Sequence, residues 1–182
     1  MRLFVAIDIP GETKDALRCF IDRLRPSAKI GWSAVENLHI TTKFIGEWPT
    51  PRLEEMKRAL ASLPVRGTID IAVKGLGWFP NASRPRVFWA GVQGGERLTA
   101  LARVTGRAAA ELGVPIETRD YSPHLTLARI REAIPLDALH QTLESLPAGC
   151  GFDFGSFSAT QFFLYLSAGG KYTQLAGFPL DQ

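Results

Sequence analysis

Residues 37–47 read NLHITTKFIGE, and residues 121–130 read YSPHLTLARI. Each stretch carries His-x-Thr inside a run of β-forming residues: His39 and Thr41 in the first, His124 and Thr126 in the second. Side chains two apart on a strand point to the same face. Each imidazole therefore shares a face with its threonine hydroxyl, while Ile40 with Phe44, and Leu125 with Leu127, turn toward a core. An imidazole and a hydroxyl on the exposed face of a rigid strand are placed as a catalytic or anion-binding pair would be.

Working outward, the surroundings of the two stretches match. LFVAIDI near the start reads as a strand, and residues 12–25 as a helix with Ala16, Leu17, Phe20, Ile21 and Leu24 on its apolar face. Gly31 and Trp32 lie in the loop before the first His-x-Thr strand. Thr50 and Pro51 supply a capping residue and a first-turn proline for a second helix, striped by Leu53, Met56 and Leu60. TIDIAVKGLGWF is a strand running into a glycine-rich bend, and PNASRP breaks the chain near its middle. The order then recurs: RVFWAGV as a strand, a helix over 96–112, the strand HLTLARI, and a short helix with Leu136, Leu139 and Leu143 at helical spacing. TQFFLYLS and YTQLAGFPL close the chain as strands. Strand, helix, His-x-Thr strand, helix, strand occurs twice, which points to an internal duplication. Two such units would pack as lobes about a pseudo-two-fold axis, their equivalent strands meeting near it.

Bulk properties set bounds. The chain has 182 residues, 46% of them hydrophobic and 21% charged, enough for one domain or two small lobes sharing a core. A net charge of +3 favours a polyanion only mildly. The two cysteines, Cys19 and Cys150, form no metal-binding spacing and fit a reduced, cytoplasmic protein. Asp8 interrupts the N-terminal apolar run, so it reads as a strand and not as a signal peptide. No apolar run approaches the about 20 residues that span a bilayer. With no heptad pattern or long exposed apolar edge, a monomer without an obligate protein partner is expected.

The two motifs define the chemistry. One histidine can accept a proton while another donates one near neutral pH, and threonine hydroxyls can hydrogen-bond non-bridging phosphate oxygens. Such a site can hydrolyse a phosphodiester without metal, one imidazole activating water and the other protonating the departing ribose oxygen. A strained 2′,3′-cyclic phosphate suits it best. Zinc catalysis lacks a third ligand, and a serine triad lacks a nucleophile elbow.

At these residues the chain resembles the two-histidine phosphoesterase superfamily, and within it the bacterial and archaeal RNA 2′,3′-cyclic phosphodiesterases, first described as 2′-5′ RNA ligases. RLFVAIDIP, NLHITTKFIGE, PHLTLAR, FFLYLS and YTQLAGFPL carry the likeness, which covers essentially the whole chain. It implies an α+β, bilobal fold with two pseudo-symmetric lobes, each an antiparallel-type sheet with flanking helices, around a central cleft. The whole chain would be one such domain, with lobes near 1–80 and 81–182 and room for strand exchange between them. It further implies hydrolysis of RNA 2′,3′-cyclic phosphate ends to 2′-phosphomonoesters, with His39 as proton donor and His124 as proton acceptor. Thr41 and Thr126 would hold the phosphate, with no metal or cofactor, and the same site could join tRNA halves reversibly through a 2′-5′ linkage. A non-catalytic RNA-end binding module and a phosphodiesterase for small cyclic nucleotides stand as the alternatives.

Further residues have two readings each. The likeness extends to Arg129 as a phosphate contact, but strict alternation points it away from His124, where it would serve the scaffold. Lys43 shares parity with His39 and Thr41 and is a candidate for the RNA backbone or a solvated strand-end lysine. Trp32 and Tyr121 precede the two motif strands and could stack on bases or pack locally. Trp78 and Phe79 could border the cleft, Arg84, Arg86, Arg119 and Arg131 could line an RNA path or a solvated rim, and His140 reads as structural.

Overall fold

The computed structural model describes residues 1–146 and 152–180, so Cys150 lies outside the described residues. The chain forms two antiparallel sheets. The first contains β1 (Arg2–Asp8), β3 (His39–Glu47), β8 (Gln161–Ala168) and β9 (Lys171–Pro179), in the order β3-β1-β8-β9. The second contains β2 (Gly31–Trp32), β4 (Ile69–Phe79), β5 (Val87–Gln93), β6 (His124–Arg129) and β7 (Asp153–Ala159), in the order β2-β6-β5-β4-β7. Helices α1 (Gly11–Leu24) and α4 (Asp137–Glu144) pack together, with α1 reaching β7. Helices α2 (Leu53–Ala61) and α3 (Gly95–Glu111) pack together and reach β9 and β3. Helix α3 also touches β4 of the second sheet, and one continuous apolar cluster runs through the whole.

The sheet orders reveal how the repeat is assembled. Reading inward from each His-x-Thr strand gives β3-β1-β8-β9 and β6-β5-β4-β7. The motif strands occupy equivalent places, as do the first strands of each half. The third strand is exchanged: β4 leaves the first half to pair with β5, and β8 leaves the second half to pair with β1. A cut at about residue 80 therefore does not separate the sheets. Two elements had escaped the sequence pattern. Strand β2 is only two residues long, and β7 is mostly exposed, with Gly155 at φ +99° breaking its alternation. At α2 the expected cap by Thr50 is not made: Thr50–Arg52 form a single 3₁₀ turn ahead of the helix, with Pro49 before it and no side-chain cap.

Both motif strands carry the same irregularity. In β3, Ala6 faces Thr41 and Val5 faces Lys43, leaving Thr42 extra. In β6, Trp89 faces Thr126 and Phe88 faces Ala128, leaving Leu127 extra. Each is a β-bulge placed immediately after the motif threonine, and each inverts the alternation beyond it. Burial follows the inversion: Thr42 with Lys43, and Leu127 with Ala128, are consecutive buried pairs, after which Phe44 and Arg129 emerge on the exposed face. The shared position of the bulge supports duplication more directly than element order does.

Candidate active site

His39 and His124 open their respective strands and are held alike. Nδ1 of His39 lies 2.7 Å from the carbonyl oxygen of Asn37, and Nδ1 of His124 lies 2.7 Å from that of Ser122. A carbonyl only accepts, so each Nδ1 carries the hydrogen. That fixes the tautomer and leaves each Nε2 free to take or give a proton. Each ring then rests on aromatic neighbours. His39 stacks on Phe4 at 4.6 Å between centroids and meets Tyr172 edge-on at 5.1 Å. His124 meets Phe79 edge-on at 4.9 Å, with Trp89 at 6.4 Å. Trp89 lies flat because residue 77 is glycine; a Cβ there would run into its ring.

The lobes are joined where the motifs meet. Strands β3 and β6 approach each other. The Tyr121 hydroxyl, three residues ahead of His124, donates to the Thr41 carbonyl at 3.0 Å. Ser33 donates from its backbone to Leu127 (2.9 Å) and from Oγ to the Thr126 carbonyl (2.6 Å). Lys43 Nζ reaches the Pro115 carbonyl at 3.1 Å and the Glu117 carboxylate at 3.3 Å. The loop between α3 and β6 is thereby strapped across β3. Tyr121→Phe keeps the ring and strands the Thr41 carbonyl. It is expected to lower stability by about 1 kcal/mol, read as a lower urea midpoint at unchanged slope.

Electrostatics distinguish the two imidazoles. Burial, first of all, pushes both below the ordinary histidine value of 6.5. His39 is pulled back up by its bond to Asn37 and by the negative charge of Asp8, its partner across β1 and β3. It is pushed down again by the positive charges of Arg129 and His124. His124 is lifted by its bond to Ser122 and lowered by Arg129. The charges of His124 and Arg129, both on the second sheet, thus reach a ring on the first. The guanidinium acts on both histidines, and only His39 gains a carboxylate's help.

Several expectations change against this geometry. Arg129 does share the motif face, because the bulge at Leu127 restores the parity that strict alternation denied. Lys43 does not: the equivalent bulge at Thr42 turns it inward, where it is 5% exposed and paired with Glu117. Trp32 lies on the other face of its sheet, donating its indole N–H to the Ala28 carbonyl and packing edge-on against the buried Phe88. Tyr121 is committed to the lobe junction, and burial raises its hydroxyl above the ordinary tyrosine value. Phe79 borders His124, whereas Trp78 stacks on Phe88 and meets the ring of His140 edge-on. Arg86 donates to the Arg131 carbonyl at 2.9 Å, so it braces the end of the second sheet. Sequence reasoning missed Phe4, Asp8, Trp89, Tyr165 and Tyr172. Register with the motif strands was the signal for the first three: Asp8 opposes His39, Trp89 opposes Thr126 and Phe4 opposes Phe44. Among the described residues no three His, Cys, Asp or Glu side chains gather into a metal-holding group, and no helix is long and apolar enough to cross a membrane.

Comparison with known proteins extends this picture. The chain is 31% identical over 183 residues to a Geobacillus stearothermophilus protein named RNA 2′,3′-cyclic phosphodiesterase, covering 97% of this chain and 56% of that one. It is 34% identical over 167 residues to a protein of the same name from Methanocaldococcus jannaschii, covering 92% and 91%. The structure of E. coli LigT complexed with 3′-AMP superposes with a TM-score of 0.78 at 28% identity, over 100% of this chain and 98% of that one. The sequence model for LigT-like phosphoesterases matches residues 7–89 and 92–161. With both His-x-Thr motifs inside that match, the chain belongs to the LigT-like phosphoesterase family.

Proposed function

We propose that the protein hydrolyses 2′,3′-cyclic phosphate ends of RNA to 2′-phosphomonoesters, using His39 as acid and His124 as base and needing no metal. The observation that carries this is the matched pair of imidazoles. Each is locked through Nδ1 to a carbonyl two residues back, and the ring of His39 on the first sheet feels the charges of His124 and Arg129 on the second. The names of the Geobacillus and Methanocaldococcus relatives agree with it, and the 3′-AMP complex of E. coli LigT agrees with a nucleotide-sized ligand.

The steps follow from the residues. Neutral His124 removes a proton from water through Nε2 while the water oxygen bonds to phosphorus. The P–O3′ bond breaks on the far side, and His39, protonated on Nε2, gives its proton to O3′. The product carries a 2′-phosphate and a free 3′-hydroxyl. His39 is left neutral and His124 protonated, and exchange with solvent resets them. Burial, first of all, and Arg129 disfavour the charged form of both rings, and Asp8 favours that of His39 alone; the division of roles itself follows the family likeness. Thr41 and Thr126 would hold the non-bridging oxygens, and Arg129 would neutralise the charge that builds on them. A 5′-hydroxyl in place of water would make a 2′-5′ bond, so ligation of RNA ends such as tRNA halves is the same chemistry with another nucleophile.

The test is a 5′-labelled oligoribonucleotide ending in a 2′,3′-cyclic phosphate, incubated with excess EDTA. Conversion to the 2′-phosphate at an undiminished rate is expected. Activity lost in EDTA and restored by zinc would overturn the mechanism.

A further inference from the structure

Strand β5 carries a donor that the acid and base leave unused. The indole nitrogen of Trp89 is closed off from solvent and has no hydrogen-bond partner, and no other buried side-chain nitrogen or oxygen among the described residues is in that state. Indole N–H groups elsewhere in the chain are satisfied: Trp32 donates to the Ala28 carbonyl at 3.0 Å, and Trp48 donates to the Arg52 carbonyl at 3.0 Å. A buried N–H without an acceptor is costly to the fold, and one cause of such a group is a site that a ligand or water completes. An indole can only donate. What relieves it is therefore an acceptor oxygen.

The surroundings of this donor put it at the second motif. Trp89 faces Thr126 across β5 and β6, and its ring lies 6.4 Å from that of His124. Glycine at residue 77 leaves the indole room to lie along the sheet. Phe79 is tilted against the indole at 5.1 Å and meets His124 edge-on at 4.9 Å, so one half-buried phenyl ring touches both. Phe79 is also the last residue of β4, and residues 80–84 beyond it are all exposed. Its side chain can turn toward solvent there without disturbing the core.

We propose that Trp89 is a further donor to the reacting oxygen: when the RNA end binds, Phe79 turns aside and Nε1 donates to the water that His124 activates. This rests on the cyclic phosphodiesterase reading. The water accepts from the indole, donates one hydrogen to Nε2 of His124 and keeps a lone pair directed at phosphorus. Base and indole stand on one lobe, the side from which the nucleophile enters. Once the new P–O bond has formed, the same oxygen belongs to the 2′-phosphate, and the indole still has its acceptor. The indole hydrogen stays on nitrogen throughout. Phe79 closes the donor in the free protein, and the substrate opens it.

Nuclear magnetic resonance and kinetics test this together. The indole N–H resonance of Trp89, assigned by its absence from Trp89→Phe, should move downfield as 2′-AMP is titrated in, while those of Trp32 and Trp48 stay in place. With 2′,3′-cyclic AMP as substrate, Trp89→Phe should lower kcat about tenfold, the worth of one neutral hydrogen bond, and change KM by less than about twofold. Replacing the indole of Trp89 by benzothiophene, which keeps its shape and lacks only the N–H, should give the same loss and so separate the donor from the packing of the ring. A Trp89 resonance unmoved at saturating 2′-AMP, or full kcat in the benzothiophene enzyme, would overturn the donor and leave the hydrolase reading standing. An unmodified enzyme that leaves both cyclic AMP and the oligoribonucleotide intact would remove the hydrolase reading and the donor with it.

Discussion

Alanine in place of either His39 or His124 should lower kcat by about 10²–10⁴-fold while leaving the fold intact. Each ring supplies one proton transfer, and an alanine methyl can neither take a proton from water nor give one to O3′. The loss should fall on kcat more than KM, because the transferred proton matters only on the way to the transition state. The double variant should lose far less than the product of the two single losses, since the residues act as a unit. Circular dichroism and the thermal midpoint would separate a catalytic loss from an unfolded protein. Retention of a tenth or more of the activity by His124→Ala would remove it from the mechanism. The pH profile adds a second reading. Both imidazoles titrate below 6.5 in the folded protein, because burial disfavours the charged form. The acid must be charged and the base neutral, so kcat/KM should be bell-shaped with its maximum on the acid side of 6.5. It should fall toward higher pH as the acid loses its proton, and toward lower pH as the base gains one.

The motif strands were legible because their information is local. His39 with Thr41, and His124 with Thr126, needed only the period of two, and that period holds through those residues. Helices α1 and α3 were legible for the same reason, since their buried stripes follow helical spacing. The period fails one residue past each threonine. There the same reasoning turned Lys43 toward the cleft and Arg129 away from it, and the structure reverses both. A bulge costs one residue of register and has no strong signature when the extra residue is Thr42 or Leu127, each an ordinary strand former. Strand exchange between the lobes was implied only by the family likeness, and that the exchanged strands are β4 and β8 was illegible for a different reason. It depends on which edge each strand finds after a long excursion, and both candidate partners offer similar apolar faces. Tyr121 shows a third limit. Its role as a strut depends on a carbonyl 80 residues away in the chain, which no local pattern records.

Arg129→Ala is the sharpest test of the second lobe's role. The guanidinium stands five residues beyond His124, is exposed on the motif face, and lowers the proton affinity of both histidines. Two consequences follow from removing it. Loss of a preorganised cation facing the charge that builds on phosphorus should cost about 10²–10³-fold in kcat. Removal of its field should let both imidazoles bind protons more readily, so both limbs of the kcat/KM profile should move to higher pH. The two readouts separate a phosphate contact from a scaffold residue, because a scaffold defect would lower stability and rate without translating the profile. Arg129→Lys should keep the acidic position of the profile, since the charge is retained. It should recover only part of the rate, because an ammonium lacks the planar fork that can engage two phosphate oxygens together. An Arg129→Ala enzyme with full activity and an unmoved profile would assign the phosphate to the threonines alone. The bulge at Leu127 would then serve the sheet and not the cleft.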